Sequence, residues 1–216
     1  AMDLIFERMP ATLELVAVAA CLVLCIAIPL GVYAGAYPKR ASSKLIMSGS
    51  ILGISLPSFW VGMMMIYIFA VVLRLLPASG RGNMVGNVAL SIFAPGGIRY
   101  VILPAITLAL TNVATMLRLT RSGILENMRQ DYIKFARAKG VPAKSILFGH
   151  ALKNALIPVV TIFGMDLGNM IAFTTITETI FAWPGMGKLL IDAINKSDRP
   201  IIVAYLMAAA CMFVVL

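Results

Sequence analysis

The sequence predicts an all-α polytopic membrane protein, on three observations. Of its 216 residues, 61% are hydrophobic and 12% charged, against roughly 45 to 50% and 25% in an average soluble domain. The mean hydropathy is +0.95. The apolar residues gather into five stretches almost free of charge, comparable to the about 20 residues that cross a bilayer core as helix. Together these exclude a soluble globular enzyme and a disordered chain.

The first predicted span is Leu15 to Tyr37, closed by Pro38-Lys39-Arg40. The second, Leu45 to Leu73, is longer than a perpendicular crossing needs, so it is tilted, broken near Pro57, or extended past the interface. Leu75 to Arg99 follows, with Pro77, Gly80, Gly82, Gly86, Pro95, Gly96 and Gly97, and that density of breakers predicts an irregular extramembrane connector. The third span is Tyr100 to Leu117. A polar stretch, Arg118 to Lys153, has an Ala-, Arg-, Lys- and Leu-rich composition that favours short helices. The fourth span, Asn154 to Thr177, is interrupted only by Asp166, and the last, Ile201 onward, follows a connector from Glu178 to Pro200. The pairs Gly31/Gly35, Gly49/Gly53 and Gly164/Gly168 each place two glycines on one helix face, which favours close helix contacts. The chain opens Ala1-Met2-Asp3 with no signal-peptide pattern, and both ends read as cut.

Orientation follows from basic residues, which stay on the cytoplasmic side of spans. Alternate connectors carry eleven on one side, from Lys39 to Lys153, and six on the other: Arg74, Arg81, Arg99, Lys188, Lys196 and Arg199. The richer side is expected to be cytoplasmic. The net charge of +9 is thus assigned to topology, and no nucleic-acid partner is expected. Cys21, Cys25 and Cys211 lie in apolar stretches and read as small hydrophobes, with no metal-ligand spacing.

No catalytic constellation is found. Gly185-Met186-Gly187-Lys188-Leu189 ends like a phosphate-binding loop, but Ala182 and Leu189 stand where that motif needs Gly and Ser or Thr. The single histidine, His150, is read as a boundary residue. Asp166 is a carboxylate in mid-span, costing roughly 2.5 to 3.5 kcal/mol on insertion scales; it reads as a path-lining or proton site, or as a hydrogen-bonded helix contact. Thr107, Thr111 and Thr115 recur at i, i+4 and i+8, beside Asn112, and form one stripe. They line a polar path, bond back to their helix, or join neighbouring helices. With Asp166 and Asn169 they are the candidate translocation path; Thr174, Thr175 and Thr177 make a looser polar set.

In the basic stretch, Asp131 to Lys139 reads as a helix, Gly140 as a turn open to positive φ, and Pro142 as the start of a second helix from about Ala143. Such a hairpin held between two spans is a lever for a cytoplasmic partner, or else an interfacial helix on headgroups.

Here the chain resembles the permease subunits of ATP-binding-cassette importers, in the branch serving dipeptides, oligopeptides, glutathione and nickel. Asp131-Tyr132-Ile133, Ala136-Arg137-Ala138-Lys139-Gly140 and His150-Ala151-Leu152-Lys153-Asn154 through Thr161 are similar to that branch's cytoplasmic "EAA" loop. Arg8-Met9-Pro10-Ala11-Thr12-Leu13 and Glu178 through Gly187 extend the likeness across nearly the whole chain. Lys134 stands at the motif's glutamate and Lys153 at a later proline, and the branch tends to have a neutral polar residue at Asp166.

The resemblance implies a MetI-like helical bundle of six spans, about five of them in this chain. Residues 1–216 would be one permease domain truncated at both ends, with 118–153 the coupling loop. It further implies that Ala136, Arg137, Ala138, Gly140, Ala143, Ile146 and Leu147 couple to a cytoplasmic ATPase. The implied role is a non-catalytic permease subunit of a binding-protein-dependent importer of di- or oligopeptides, in a bacterial or archaeal inner membrane. Its partners would be ATPase subunits using ATP and Mg, a second permease subunit, an external substrate-binding protein and lipid; this chain would bind no cofactor or metal. The alternatives are a proton-coupled secondary transporter using Asp166, or a nickel or glutathione permease.

Overall fold

The computed structural model describes residues 1–82 and 91–215, and among these there is no strand. Helix α1 runs Met2–Ala36, beginning well before the expected Leu15. Ile5, Thr12, Leu15 and Ala19 are buried at helical spacing, so the early turns are amphipathic and were hidden from a reading by hydropathy. The second span is broken at the expected place. α2 spans Ala41–Ser55 and α3 spans Ser58–Met65 after Pro57, because a proline disfavours the helical conformation of the residue before it. α3 continues as a π-helix over Ile66–Val72.

After a connector described up to residue 82 and from 91, α4 spans Ile98–Asn127, carrying the third span ten residues past Leu117. α5 is Asp131–Ala138. The helix expected from Ala143 starts there as α6, Ala143–Ser145, but it is no separate element. It runs through a π turn, Ile146–Ala151, into α7, Leu152–Ile180. The final connector holds α8, Met186–Asn195, before α9, Arg199–Val215. Among the described residues three helices are long and apolar enough to cross a membrane, or up to four when the pair broken at Pro57 is one span; α9, at 17 residues, is shorter.

The chain forms two compact units, residues 1–22, 56–109 and 166–216 in one, and 23–55 and 110–165 in the other. In the first, Ile5, Met186, Ala204 and Tyr205 form a buried apolar cluster. In the second, Val32, Ile124, Ile133, Ile146, Ala151 and Ala155 do so. The glycine pairs divide. A Cβ at Gly31 or Gly35 would lie 2.6 Å from Thr120 Cβ or 2.7 Å from Ile124 Cβ, so both are needed for that crossing. Gly49 and Gly164 have nothing within 4 Å, and the close contacts expected of them are not seen among the described residues.

Candidate functional site: a helical hairpin and a buried carboxylate knot

The hairpin belongs to the second unit, and its turn is closed by the backbone. Gly140 sits at φ +78; its N–H donates to Arg137 O at 3.0 Å, and Val141 N–H donates to Ala136 O at 3.1 Å. That pair of bonds is a Schellman termination, which favours glycine at the left-handed position. Ala136 and Val141 pack on the buried cluster of Ile133 and Ile146, joining the two arms.

Three polar side chains tie the hairpin down. Tyr132 Oη donates to Asn127 Oδ1 at 2.8 Å, Asn154 Nδ2 donates to Tyr132 Oη at 3.0 Å, and Asn127 Nδ2 donates to Gly123 O at 2.9 Å. The end of α4, the start of α5 and the start of α7 are thereby linked. Sequence reasoning missed this network, although Tyr132 and Asn154 both stood in the quoted motif.

The seven expected coupling residues do not share one environment. Arg137, Ala138, Gly140 and Ala143 are exposed, Ala136 and Leu147 are half-buried, and Ile146 is buried. Ile146 is an anchor rather than a contact surface. The outer face instead presents Phe135 and Phe148, each about 60% exposed, with Lys139 Nζ 4.5 Å from the Phe135 ring centroid. Asp131 accepts a 2.8 Å hydrogen bond from Lys134 Nζ, and that bond, with the lysine's charge, lowers the Asp131 pKa from its ordinary value. His150 is exposed in the π turn.

The candidate path residues are placed unequally. Thr107 is buried and donates to Leu103 O at 2.9 Å. Thr115 is half-buried and donates to Thr111 O at 3.2 Å. Such back-bonds are the alternative that threonines in apolar helices commonly adopt. Thr111 and Asn169 are exposed and Asp166 is half-buried.

Complete burial falls on two other acids, both in the first unit. Glu14 accepts from Arg81 Nε at 3.0 Å, from Ser91 Oγ at 2.8 Å and from Ile92 N–H at 2.6 Å. Its side chain is 2% exposed and that of Arg81 4%, and the guanidinium also lies 5.6 Å from the Trp183 ring. Glu178 accepts from Thr12 Oγ1 at 2.6 Å and from Lys188 N–H at 2.9 Å. Thr12 Oγ1 in turn accepts from Met186 N–H at 2.9 Å, and Trp183 Nε1 donates to Ala11 O at 2.9 Å.

This knot explains the false phosphate loop. The first amides of α8, which would cradle a phosphate at a helix N-terminus, are taken by Glu178 and Thr12. A Cβ at Gly185 would fall 2.2 Å from Glu178 Oε1, and one at Gly187 would fall 2.5 Å from Thr175 Cα. Gly185 thus allows close approach to the protein's own carboxylate, and Gly187 close approach to Thr175. One signal was legible in the sequence: only nine acids exist, and Glu14 stands in an apolar run, as Asp166 does.

Comparison with known proteins follows the same lines. Residues 27–216 match the family model described as binding-protein-dependent transport system inner membrane component. The oligopeptide transport system permease protein AppB of Bacillus subtilis is 39% identical over 99% of this chain and 66% of its own length. The di/tripeptide transport system permease protein DppB of Pseudomonas aeruginosa is 41% identical over 89% of this chain and 62% of its own. The dipeptide transport system permease protein DppB of Escherichia coli is 36% identical over 96% and 66%. The chain thus spans about two thirds of the length of these relatives. A crystal structure of an amino acid ABC transporter with histidines superposes with a TM-score of 0.62, covering 99% of this chain and 87% of that one at 13% identity. At that identity the likeness concerns the fold, which is that of an ABC transporter permease.

Proposed function

The chain belongs to the family of binding-protein-dependent transport system inner membrane components, and from that premise we propose that it is the permease part of an ATP-driven importer of di- or oligopeptides. The cargo reading rests on the names of the relatives, which are peptide transport permeases. The chain supplies membrane-crossing helices and a docking hairpin, while ATP hydrolysis with Mg belongs to a separate cytoplasmic ATPase. An external binding protein delivers the peptide, and a second permease subunit completes the path. The eleven basic residues of the hairpin side support its cytoplasmic orientation.

The observation that carries the coupling role is the way the hairpin is built. Its inner side is anchored by Ile133 and Ile146, while its outer side exposes Phe135, Phe148, Arg137 and Lys139. Exposed aromatic and arginine side chains are the types enriched at protein interfaces. Because Tyr132 and Asn154 fasten α5 to α4 and α7, a push on the hairpin is transmitted to those helices as a rigid-body displacement. Thr107, Thr111, Thr115, Asp166 and Asn169 remain the proposed path residues, of which Thr107 and Thr115 bond back to their own helix.

The test is cross-linking in membranes holding the complete permease and its ATPase, with Cys21, Cys25 and Cys211 replaced and Ala143→Cys introduced. A specific adduct with the ATPase that changes with bound nucleotide is expected. Active membranes that give no adduct, and whose uptake follows a proton gradient, would refute the coupling role and transfer attention to Asp166.

A further inference from the structure

From Leu15 to Leu125 the sequence contains no Asp or Glu, yet the connector after the second span carries Arg74, Arg81 and Arg99. The structure matches Arg81 with Glu14. Arg74 and Arg99 have no ion pair among the described residues, and both are exposed. They line the same cleft, of about 510 Å³, together with Leu75, Pro77, Pro95 and Tyr100. Two guanidiniums lining one cleft give it a positive potential that favours an anion there.

The setting selects the anion. The cleft lies where the π-helix after α3 ends, at Val72, and where α4 begins, at Ile98, so it joins the ends of two apolar helices. Val72, Leu73, Leu75 and Ile98 beside it are all about half exposed or more. A ligand using both surfaces has a phosphate joined to hydrocarbon. Arginine presents a planar fork of donors suited to phosphate oxygens. Arg74 also holds φ +52, a backbone conformation that glycine adopts at lower cost; the position after the helix thus carries a large cation in a conformation that does not favour it.

We propose that this cleft is a phospholipid site, in which Arg74 and Arg99 bind the phosphodiester of an anionic headgroup and the acyl chains run over Leu73, Leu75 and Ile98. A lipid held there fastens the end of the second span to the start of the third. This inference needs only that the chain is a membrane protein, and it stands or falls separately from the peptide and ATPase readings.

The experiment places the complete permease, in its assembled complex, in nanodiscs containing phosphatidylglycerol and phosphatidylcholine, and measures retained lipid by native mass spectrometry. Arg74→Gly removes the cation while relieving the positive φ, so its helical content and melting temperature should match the parent or exceed it. Near a membrane surface each Lys or Arg contributes enough to change binding about fivefold. Arg74→Gly and Arg99→Gln should each lower the preference for phosphatidylglycerol roughly that much, and their combination roughly twenty-five-fold. The Arg74→Lys, Arg99→Lys pair should keep part of it. A double neutral variant that retains phosphatidylglycerol like the parent overturns the site. Displacement of the lipid by millimolar inorganic phosphate would show a free-anion site and overturn the lipid assignment.

Discussion

The carboxylate knot of the first unit and the hairpin of the second solve the same task, fixing a connector to membrane helices, by opposite means. The knot buries its charges. Glu14 and Arg81 are almost wholly removed from solvent; Glu14 also accepts from Ser91 and Ile92, and the guanidinium lies 5.6 Å from the Trp183 ring. The hairpin buries isoleucines, closes its turn with backbone bonds, and leaves its ion pair outside, with Lys134 and Asp131 69% and 96% exposed. A buried, hydrogen-bonded network tolerates few arrangements. An apolar anchor with charges left on the outer face keeps those charges in contact with solvent. The difference teaches that a connector can be fixed either by pairing charge inside the fold or by an apolar anchor that leaves its charge at the surface.

The sharpest way to break this contrast is Glu14→Ala, which leaves Arg81 buried without its partner. Removing one member of a buried pair costs about 3 to 5 kcal/mol, so the purified permease should lose much of its thermal stability. A variant melting within a degree of the parent would show that the knot is not a rigid fastening.

A smaller effect is expected at Gly140. A Cβ there meets nothing within 4 Å, so Gly140→Val is opposed by the positive φ rather than by crowding, at about 1 to 2 kcal/mol. If the hairpin is the lever, ATP hydrolysis should persist in the assembled transporter while uptake falls severalfold. Hydrolysis and uptake that remain in step would separate the turn from coupling.

Asp131 provides the smallest effect. Its pKa is lowered in the fold, so its contribution is present above the unfolded value near 4 and is lost as pH falls through the lower folded value. The group is fully exposed, so the change should be slight and screened by salt. Hairpin amide exchange compared at pH 5 and pH 3 should show a small loosening that Asp131→Asn removes. An equal pH response in that variant would assign the effect to other groups.

Most of the architecture was legible because membrane helices are selected by a strong one-dimensional signal, apolar length. The break at Pro57 and the turn at Gly140 were legible for the same kind of reason, since each depends on the backbone of one residue type. Element ends were less so. α1 starts at Met2 and α4 continues to Asn127 because amphipathic turns add helix where mean hydropathy is low. The candidate site was legible only as a segment. The seven positions around Gly140 separate into exposed, half-buried and buried residues, and only packing decides which is which.

Charge tells the same story at the level of chemistry. By itself the sequence determined that this is a polytopic helical membrane protein with a basic hairpin, because composition and periodicity act locally along the chain. It singled out Asp166 as the costly acid. Only the tertiary structure decided that Glu14 and Glu178 are the buried ones, that Thr12 bridges Glu178 to α8, and that Arg74 and Arg99 share a cleft. Those pairings join residues far apart in sequence, and the energy of a buried charge depends on what the fold brings to it, a quantity no local pattern contains.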